Sequence, residues 1–113
     1  MHEASLALSV IEQMEQYENN NNVVIEKVVL EVGRGSGVNL YALSFCLDEL
    51  KKQLKKDVEF EFKEKPIRAE CSSCGAKLEL EYPTYLCPAC KDASINITEG
   101  LEFNITEFEV SDR

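Results

Sequence analysis

The chain has 113 residues, a formal net charge of −9 and 44% hydrophobic residues. This composition is typical of one small globular domain with an appendage, and it excludes wholesale disorder. The acidic excess argues against nucleic acid and against anionic membranes, because both are bound through Lys and Arg. We expect a cationic ligand or a basic protein partner instead. No signal segment opens the chain and no apolar run approaches about eighteen residues, so we expect a cytoplasmic protein.

The first half of the chain predicts helix, strand and helix. Apolar residues recur at helical spacing from Ala4 to about Glu18, and the asparagines at 19–22 predict the end of this helix. The β-branched run at 23–32 predicts a strand with one buried face. After a glycine-rich turn at 33–37, a leucine stripe predicts a second helix over residues 39–56. Cys46 lies beside that stripe, and we interpret it as a buried, unreactive thiol.

The second half of the chain predicts shorter strands. Residues 58–63 alternate apolar and charged side chains, as a strand does. A hairpin strand is expected over residues 77–82, and residues 95–97 are expected to close a ribbon. In the last segment the apolar residues change parity between Ile105 and Phe108. This change predicts a bulge, or a strand whose far end turns its other face inward.

The order of these elements predicts an α+β fold. Two helices are expected to pack on a three-stranded β-sheet, with an inserted zinc-ribbon-like domain. We expect the last strand to return to the first domain. The predicted domains are therefore residues 1–69 together with 98–113 and, between them, a metal-binding domain of residues 70–97.

Four cysteines form two Cys-x-x-Cys pairs separated by twelve residues. Two such pairs complete a tetrahedron of thiolates, which zinc favours, and a site with all four positions filled is structural. Two disulfides, a redox pair or an iron site are the alternatives, but a reducing compartment favours metal binding. The predicted zinc ligands are Cys71, Cys74, Cys87 and Cys90.

The single histidine, His2, follows Met1, which we expect translation to retain. The α-amine of Met1, the backbone nitrogen of His2 and its imidazole Nδ1 can close two adjacent chelate rings around one ion. The backbone nitrogen of Glu3 can complete a plane, which suits Ni(II) or Cu(II). A frayed helix start with an incidental histidine is the alternative. With one imidazole and no nucleophile beside a base, the chain is not expected to be an enzyme.

The Met1-His2-Glu3 start, the loop from Gly33 to Val38 and the four paired cysteines together resemble the nickel metallochaperones of hydrogenase maturation, the HypA/HybF family. The resemblance implies a nickel-binding domain in which Met1, His2 and Glu3 bind Ni(II) as cargo, with the cysteines holding structural Zn(II). It implies delivery of nickel to the large subunit of nickel–iron hydrogenase. Implied partners are a nickel-incorporation GTPase and, in some relatives, urease maturation proteins, with a monomeric or homodimeric chain.

Two departures from some relatives affect the implied sites. Asn39 stands where they carry an Asp near the nickel site. Histidines that flank the zinc cysteines in some relatives are absent, which excludes a histidine-driven switch at the zinc.

Two other functions compete with the nickel chaperone. One is a zinc-ribbon interaction module without exchangeable metal, which would dock a partner through its acidic surface and exposed residues such as Tyr82 and Tyr85. The other is a rubredoxin-like electron carrier, because four thiolates also bind iron.

Overall fold

The computed structural model describes residues 3–113, which form two helices and two three-stranded sheets. The elements in chain order are α1 (Glu3–Asn21), β1 (Val23–Gly33), α2 (Leu40–Gln53), β2 (Glu59–Lys65), β3 (Ile67–Cys71), β4 (Lys77–Leu80), β5 (Ile95–Glu99) and β6 (Phe103–Asp112). The strand orders are β2-β1-β6 and β4-β3-β5. The predicted α+β class is confirmed, and the last strand returns to pair with the first, as expected.

Two compact units divide the chain. The described part of the first comprises residues 3–30, 38–62 and 105–113, and the second comprises 31–37 and 63–104. The second unit extends beyond the cysteine region on both sides. The domain boundaries expected from the sequence, which separate a nickel-binding from a zinc-binding domain, stay a prediction.

The first unit has an apolar core shared by both helices and the strands. Its buried hydrophobic residues are Ala7, Val10, Ile11, Met14, Ile25, Val28, Val29, Leu30, Leu43, Leu47 and Val58. The helical spacing of the first four explains why α1 forms, since they lie on one face of the helix. Tyr17, which lies within the predicted helix, is 40% exposed, with its ring 4.9 Å from that of Phe108. The next residue, Glu18, is buried instead, in the last turns of α1.

Local signals set the ends of α2. The Asn39 side chain accepts a hydrogen bond from the Ala42 backbone N–H at 3.0 Å, which caps the first turn. The helix ends at Gln53, three residues before the predicted end, because Lys55 takes a left-handed conformation with φ of 54°. Cys46 is half-buried, so the prediction of a buried thiol is wrong. It lies one position from Leu47, which is fully buried.

The second unit contains the ribbon. The predicted strands at 77–82 and 95–97 correspond to β4 and β5, and both pair antiparallel with β3. The sequence did not predict β3 as a central strand. Its burial alternates strictly, with Ile67, Ala69 and Cys71 buried, so one face of the strand runs from the apolar core of the unit to the Cys71 thiol.

The glycine-rich turn after β1 is a close backbone approach. The Gly33 N–H donates to the Glu102 carbonyl at 2.8 Å, and the Gly35 N–H donates to the Gly100 carbonyl at 2.7 Å. A Cβ on Gly33 would collide with the Gly100 backbone. The interpretation of this segment as a tight turn is confirmed.

Burial in β6 follows the apolar change of parity at Phe108 only. Ile105 and Phe108, an odd number of residues apart, are both half-buried. Val110, which has the parity of Phe108, is 43% exposed, and Ser111 is half-buried, so the inward-facing positions do not keep the new parity to the end of the strand.

Candidate metal centre

The first Cys-x-x-Cys pair sits where β3 ends. The Cys71 N–H donates to the Ala76 carbonyl at 3.0 Å, and the Gly75 N–H donates to the Cys71 carbonyl at 2.9 Å. These two bonds close a tight turn that returns the chain toward β4. Cys71 is buried and Cys74 is exposed, so the turn presents one thiol from inside and one from outside.

The second pair repeats the same turn. The Cys87 N–H donates to the Asp92 carbonyl at 2.8 Å, and the Lys91 N–H donates to the Cys87 carbonyl at 2.8 Å. Cys87 is fully buried and Cys90 is half-buried. Each pair thus places its first cysteine in the interior and its second nearer the surface. We call the two turns, residues 71–76 and 87–92, the first and second knuckles.

One side-chain and one backbone hydrogen bond join the first knuckle to the second knuckle and to the residues just after it. The Ser73 hydroxyl donates to Asp92 Oδ2 at 2.6 Å, and the Ser72 N–H donates to the Ser94 carbonyl at 3.0 Å. Both bonds cross between segments about twenty residues apart in the chain. They hold the four thiols close together without using any sulfur atom.

The four sulfur atoms converge on one point. All four Sγ atoms lie within 4.8 Å of one another, with Cys71 to Cys90 at 3.6 Å and Cys74 to Cys87 at 3.8 Å. A tetrahedral ion with bonds of about 2.3 Å requires sulfur atoms about 3.8 Å apart. A disulfide requires a sulfur–sulfur distance of about 2.05 Å. The arrangement therefore suits a four-thiolate metal such as zinc and does not contain disulfides.

In the second knuckle, backbone N–H groups favour the thiolate form of Cys87. The Cys90 backbone N–H, acting with that of Ala89 against burial, lowers the pKa of Cys87 to about 7. The Asp92 backbone N–H also lowers the pKa of Cys90, but burial and the Cys71 thiol outweigh it and raise that pKa to about 12. Clustered thiols cannot all ionise without a cation, so the geometry that brings them together calls for one.

The predicted nickel ligands lie at the opposite end of the chain. Met1 and His2 fall outside the described residues. Glu3 begins α1, and its carboxylate Oε2 accepts a hydrogen bond from the Asn39 N–H at 3.2 Å. This contact connects the start of α1 to the residue that caps α2. Asn39 Oδ1 already accepts from Ala42, so this amide oxygen serves the helix end.

Glu18 is a buried ionisable group that the sequence analysis did not identify. Only 6% exposed, it accepts the Ile25 N–H on Oε2 at 2.8 Å and the Lys56 ammonium on Oε1 at 3.1 Å. It therefore joins α1, β1 and the segment after α2. A signal was available in the helical pattern, because Glu18 continues the spacing of Ile11 and Met14.

Neither α1 nor α2, the helices within residues 3–113, combines the length and the hydropathy that crossing a bilayer requires.

Comparison with known proteins identifies the family of this chain. Residues 1–110 match the family model described as "HypA: Hydrogenase/urease nickel incorporation, metallochaperone". The chain belongs to the HypA family. The resemblance drawn from the sequence is confirmed, and the family is one of nickel metallochaperones that act in hydrogenase maturation.

Related HypA proteins align along nearly their whole length. The hydrogenase maturation factor HypA of Moorella thermoacetica is 32% identical over 111 residues, which covers 96% of this chain and 98% of the relative. That of Psychromonas ingrahamii is 32% identical over 112 residues, covering 97% and 98%.

Solved HypA structures share the fold. The solution structure of the nickel metallochaperone HypA from Helicobacter pylori superposes with a TM-score of 0.68 at 22% identity, covering both chains completely. A second HypA solution structure gives a TM-score of 0.72 at 23% identity, covering 100% of this chain and 98% of the other.

Proposed function

We propose that this chain is a nickel metallochaperone which binds Ni(II) through Met1, His2 and Glu3 and delivers it during maturation of nickel–iron hydrogenase. Membership of the HypA family is the observation that carries the proposal, because the family match begins at residue 1 and includes the Met-His-Glu start. In this proposal the metal held by the four cysteines is structural zinc. The chain itself performs no catalysis.

The cysteine geometry supports a division of labour between the two metals. Four converging thiols fill every position of a tetrahedral ion and leave none for exchange. A transferred ion needs open coordination positions, which a chain terminus offers. Backbone and imidazole nitrogens select Ni(II) by its square-planar preference.

The Glu3 carboxylate is assigned a positioning role rather than a ligand role. Its hydrogen bond to the Asn39 N–H ties the first turn of α1 to the N-terminus of α2. The nitrogen atoms of Met1, His2 and Glu3 are then the proposed ligands. Asn39 is left out of the proposed ligand set, because its side-chain oxygen caps α2.

The recipients and partners follow from the family. The family description names both hydrogenase and urease nickel incorporation, so we propose the hydrogenase large subunit as recipient and urease as a second one. We further propose a nickel-incorporation GTPase and urease maturation proteins as partners, a cytoplasmic location, and a monomer or homodimer as the working form.

The test is nickel titration of untagged protein with its native start, combined with metal analysis. His2→Ala and a variant with one residue added before Met1 should lose nickel binding while keeping one zinc per chain. Nickel binding should also weaken as the pH falls, because binding displaces amide protons. Glu12→Ala, an exposed change on α1, is the control and should bind nickel as the wild type does. Unchanged nickel titration of His2→Ala would contradict the proposal.

The competing functions give different outcomes in the same experiment. A zinc-ribbon interaction module would contain one zinc and bind no nickel at its start. A rubredoxin-like carrier would contain iron and be coloured, whereas a zinc protein is colourless. The exposure of Tyr82 and Tyr85, at 71% and 85%, is compatible with a docking role in addition to nickel transfer.

A further inference from the structure

The segment between β4 and the second knuckle exposes large apolar side chains. In residues 81–86, which we call the inter-knuckle loop, Tyr82 is 71% exposed, Tyr85 85% and Leu86 59%. Single exposed apolar residues are normal on protein surfaces. Here three lie within five positions of the chain, and clusters of exposed apolar residues mark interaction sites.

The patch borders a concave surface. An open cavity of about 340 Å³ is lined by residues that include the apolar or aromatic Leu80, Tyr82, Leu86 and Pro88 and the acidic Glu79 and Glu81. This volume is at the lower end of the range for ligand pockets. It accommodates one or two side chains of a partner.

The loop is held at both ends. On one side β4 pairs with β3, with Leu80 opposite Ile67. On the other side Cys87 is fully buried in the metal centre, and the Leu86 N–H donates to Thr84 Oγ1 at 3.3 Å inside the loop. A surface that is ordered before binding loses less entropy when a partner docks.

The charges around the cavity indicate which kind of partner binds there. Glu79 and Glu81 are both exposed, and both line the same cavity as Tyr82. Carboxylates bind guanidinium and ammonium groups, and aromatic faces attract the same cations. A second copy of this chain would bring the same carboxylates and a net charge of −9, and an anionic membrane would also be repelled. These charges favour a basic segment of another protein.

We propose that the inter-knuckle loop docks a protein segment that carries Arg or Lys beside an apolar side chain. The apolar side chain enters the cavity against Leu80 and Leu86, and the cation lies over the Tyr82 ring near Glu81. This docking does not depend on nickel binding at the N-terminus. A failure of the docking proposal therefore leaves the nickel proposal standing, and the reverse also holds. The His2→Ala variant should bind the docking partner as the wild type does.

The test is an NMR titration of the zinc-loaded full chain with a capped Gly-Arg-Leu-Arg-Gly peptide. Chemical shifts should change mainly at residues 79–88. The double variant Tyr82→Ser, Tyr85→Ser should weaken binding by about tenfold or more, as removal of aromatic anchors does. The double variant Glu79→Gln, Glu81→Gln should weaken binding and reduce its dependence on salt. Because these residues are exposed, the variants should keep their zinc, which metal analysis checks.

Matched controls separate docking from general attraction to an acidic protein. Tyr41→Ser removes an aromatic residue that is 87% exposed on α2, and Glu12→Gln with Glu107→Gln removes the same charge from the first unit. Both controls should bind the peptide as the wild type does. The proposal is overturned if the controls weaken binding as much as the loop variants or if the shifts map outside residues 79–88. It also fails if a Gly-Gln-Leu-Gln-Gly peptide binds equally well, or if the wild type self-associates through the two tyrosines.

Discussion

Gly75 and Lys91 occupy equivalent positions in the two knuckles, and both have left-handed backbones, with φ of 75° and 69°. Each donates its N–H to the carbonyl of the first cysteine four residues earlier. The same turn is thus made once with glycine, which adopts this conformation without cost, and once with a lysine, which does not.

This equivalence predicts opposite effects of substitution at the two positions. Gly75→Ala should destabilise the zinc-loaded protein by about 1–2 kcal/mol, since a Cβ there meets no atom and only the backbone conformation is penalised. Lys91→Gly should stabilise it by about 0.5–1 kcal/mol, after the entropy that glycine adds to the unfolded chain is subtracted. Chemical unfolding at constant zinc measures both. Lys91→Ala is the control, and the prediction is wrong if it is as stable as Lys91→Gly.

Removing the metal should unfold the ribbon. The second unit is small, and part of its buried apolar surface is contributed by Cys71 and Cys87 themselves. Treatment with a chelator should abolish the dispersed NMR signals of residues 63–104, and added zinc should restore them. The signals of residues 3–30 should persist, because the first unit has its own core. Cys74→Ser should behave like the metal-free protein, whereas Cys46→Ser should retain one zinc; a folded metal-free ribbon would contradict this prediction.

The buried Glu18 should be the most sensitive charged residue of the first unit. Glu18→Ala leaves the Ile25 N–H without its acceptor and Lys56 without its partner, and should cost about 3–5 kcal/mol. Lys56→Met should also destabilise the protein, because it leaves the Glu18 carboxylate, which is more buried than the Lys56 side chain, without its counter-charge. Urea unfolding measures the free energies of both variants. Glu12→Ala, exposed on the same helix, should change stability little, and an equal loss there would refute the special role of Glu18.

Glu102 should respond to acid through its contact with Gly100. The Gly100 N–H donates to Glu102 Oε2 at 2.9 Å, and this bond, with the N–H groups of Glu102 and Leu101, lowers the pKa of Glu102 below its ordinary value of 4.5. A carboxyl whose pKa is lower in the folded state contributes stability above its unfolded pKa, and that stability is lost as the pH falls through the folded pKa.

The Glu102 carboxyl should therefore titrate at a lower pH in the folded, zinc-loaded chain than in urea, as NMR measures. Glu102→Gln should be less stable than the wild type between pH 5 and 7, by an amount that does not vary with pH in that window. A folded pKa at or above the urea value would contradict the assignment. Gly100→Ala should be more damaging than Glu102→Gln, because a Cβ would lie 2.5 Å from the Ile67 Cα.

Local patterns in the sequence determined the elements and the cluster of four cysteines. Helical spacing gives α1, alternation gives β2, and two Cys-x-x-Cys pairs specify four thiols around one centre, because each pattern depends on residues close in the chain. The Met-His-Glu start likewise indicated a nickel chelator, and together with the cysteines it indicated the HypA family.

Tertiary structure alone decided the features that depend on distant residues. The central place of β3 requires pairing with segments seven to thirty-one residues away, and the burial of Glu18 requires Lys56, which lies 38 residues along the chain. The left-handed Lys91 follows from closing the second knuckle around its cysteines, and no local propensity of lysine predicts it. Periodicity and ligand chemistry can be read from the sequence. Long-range packing determines which polar residues are buried and which residues are held in a left-handed backbone conformation.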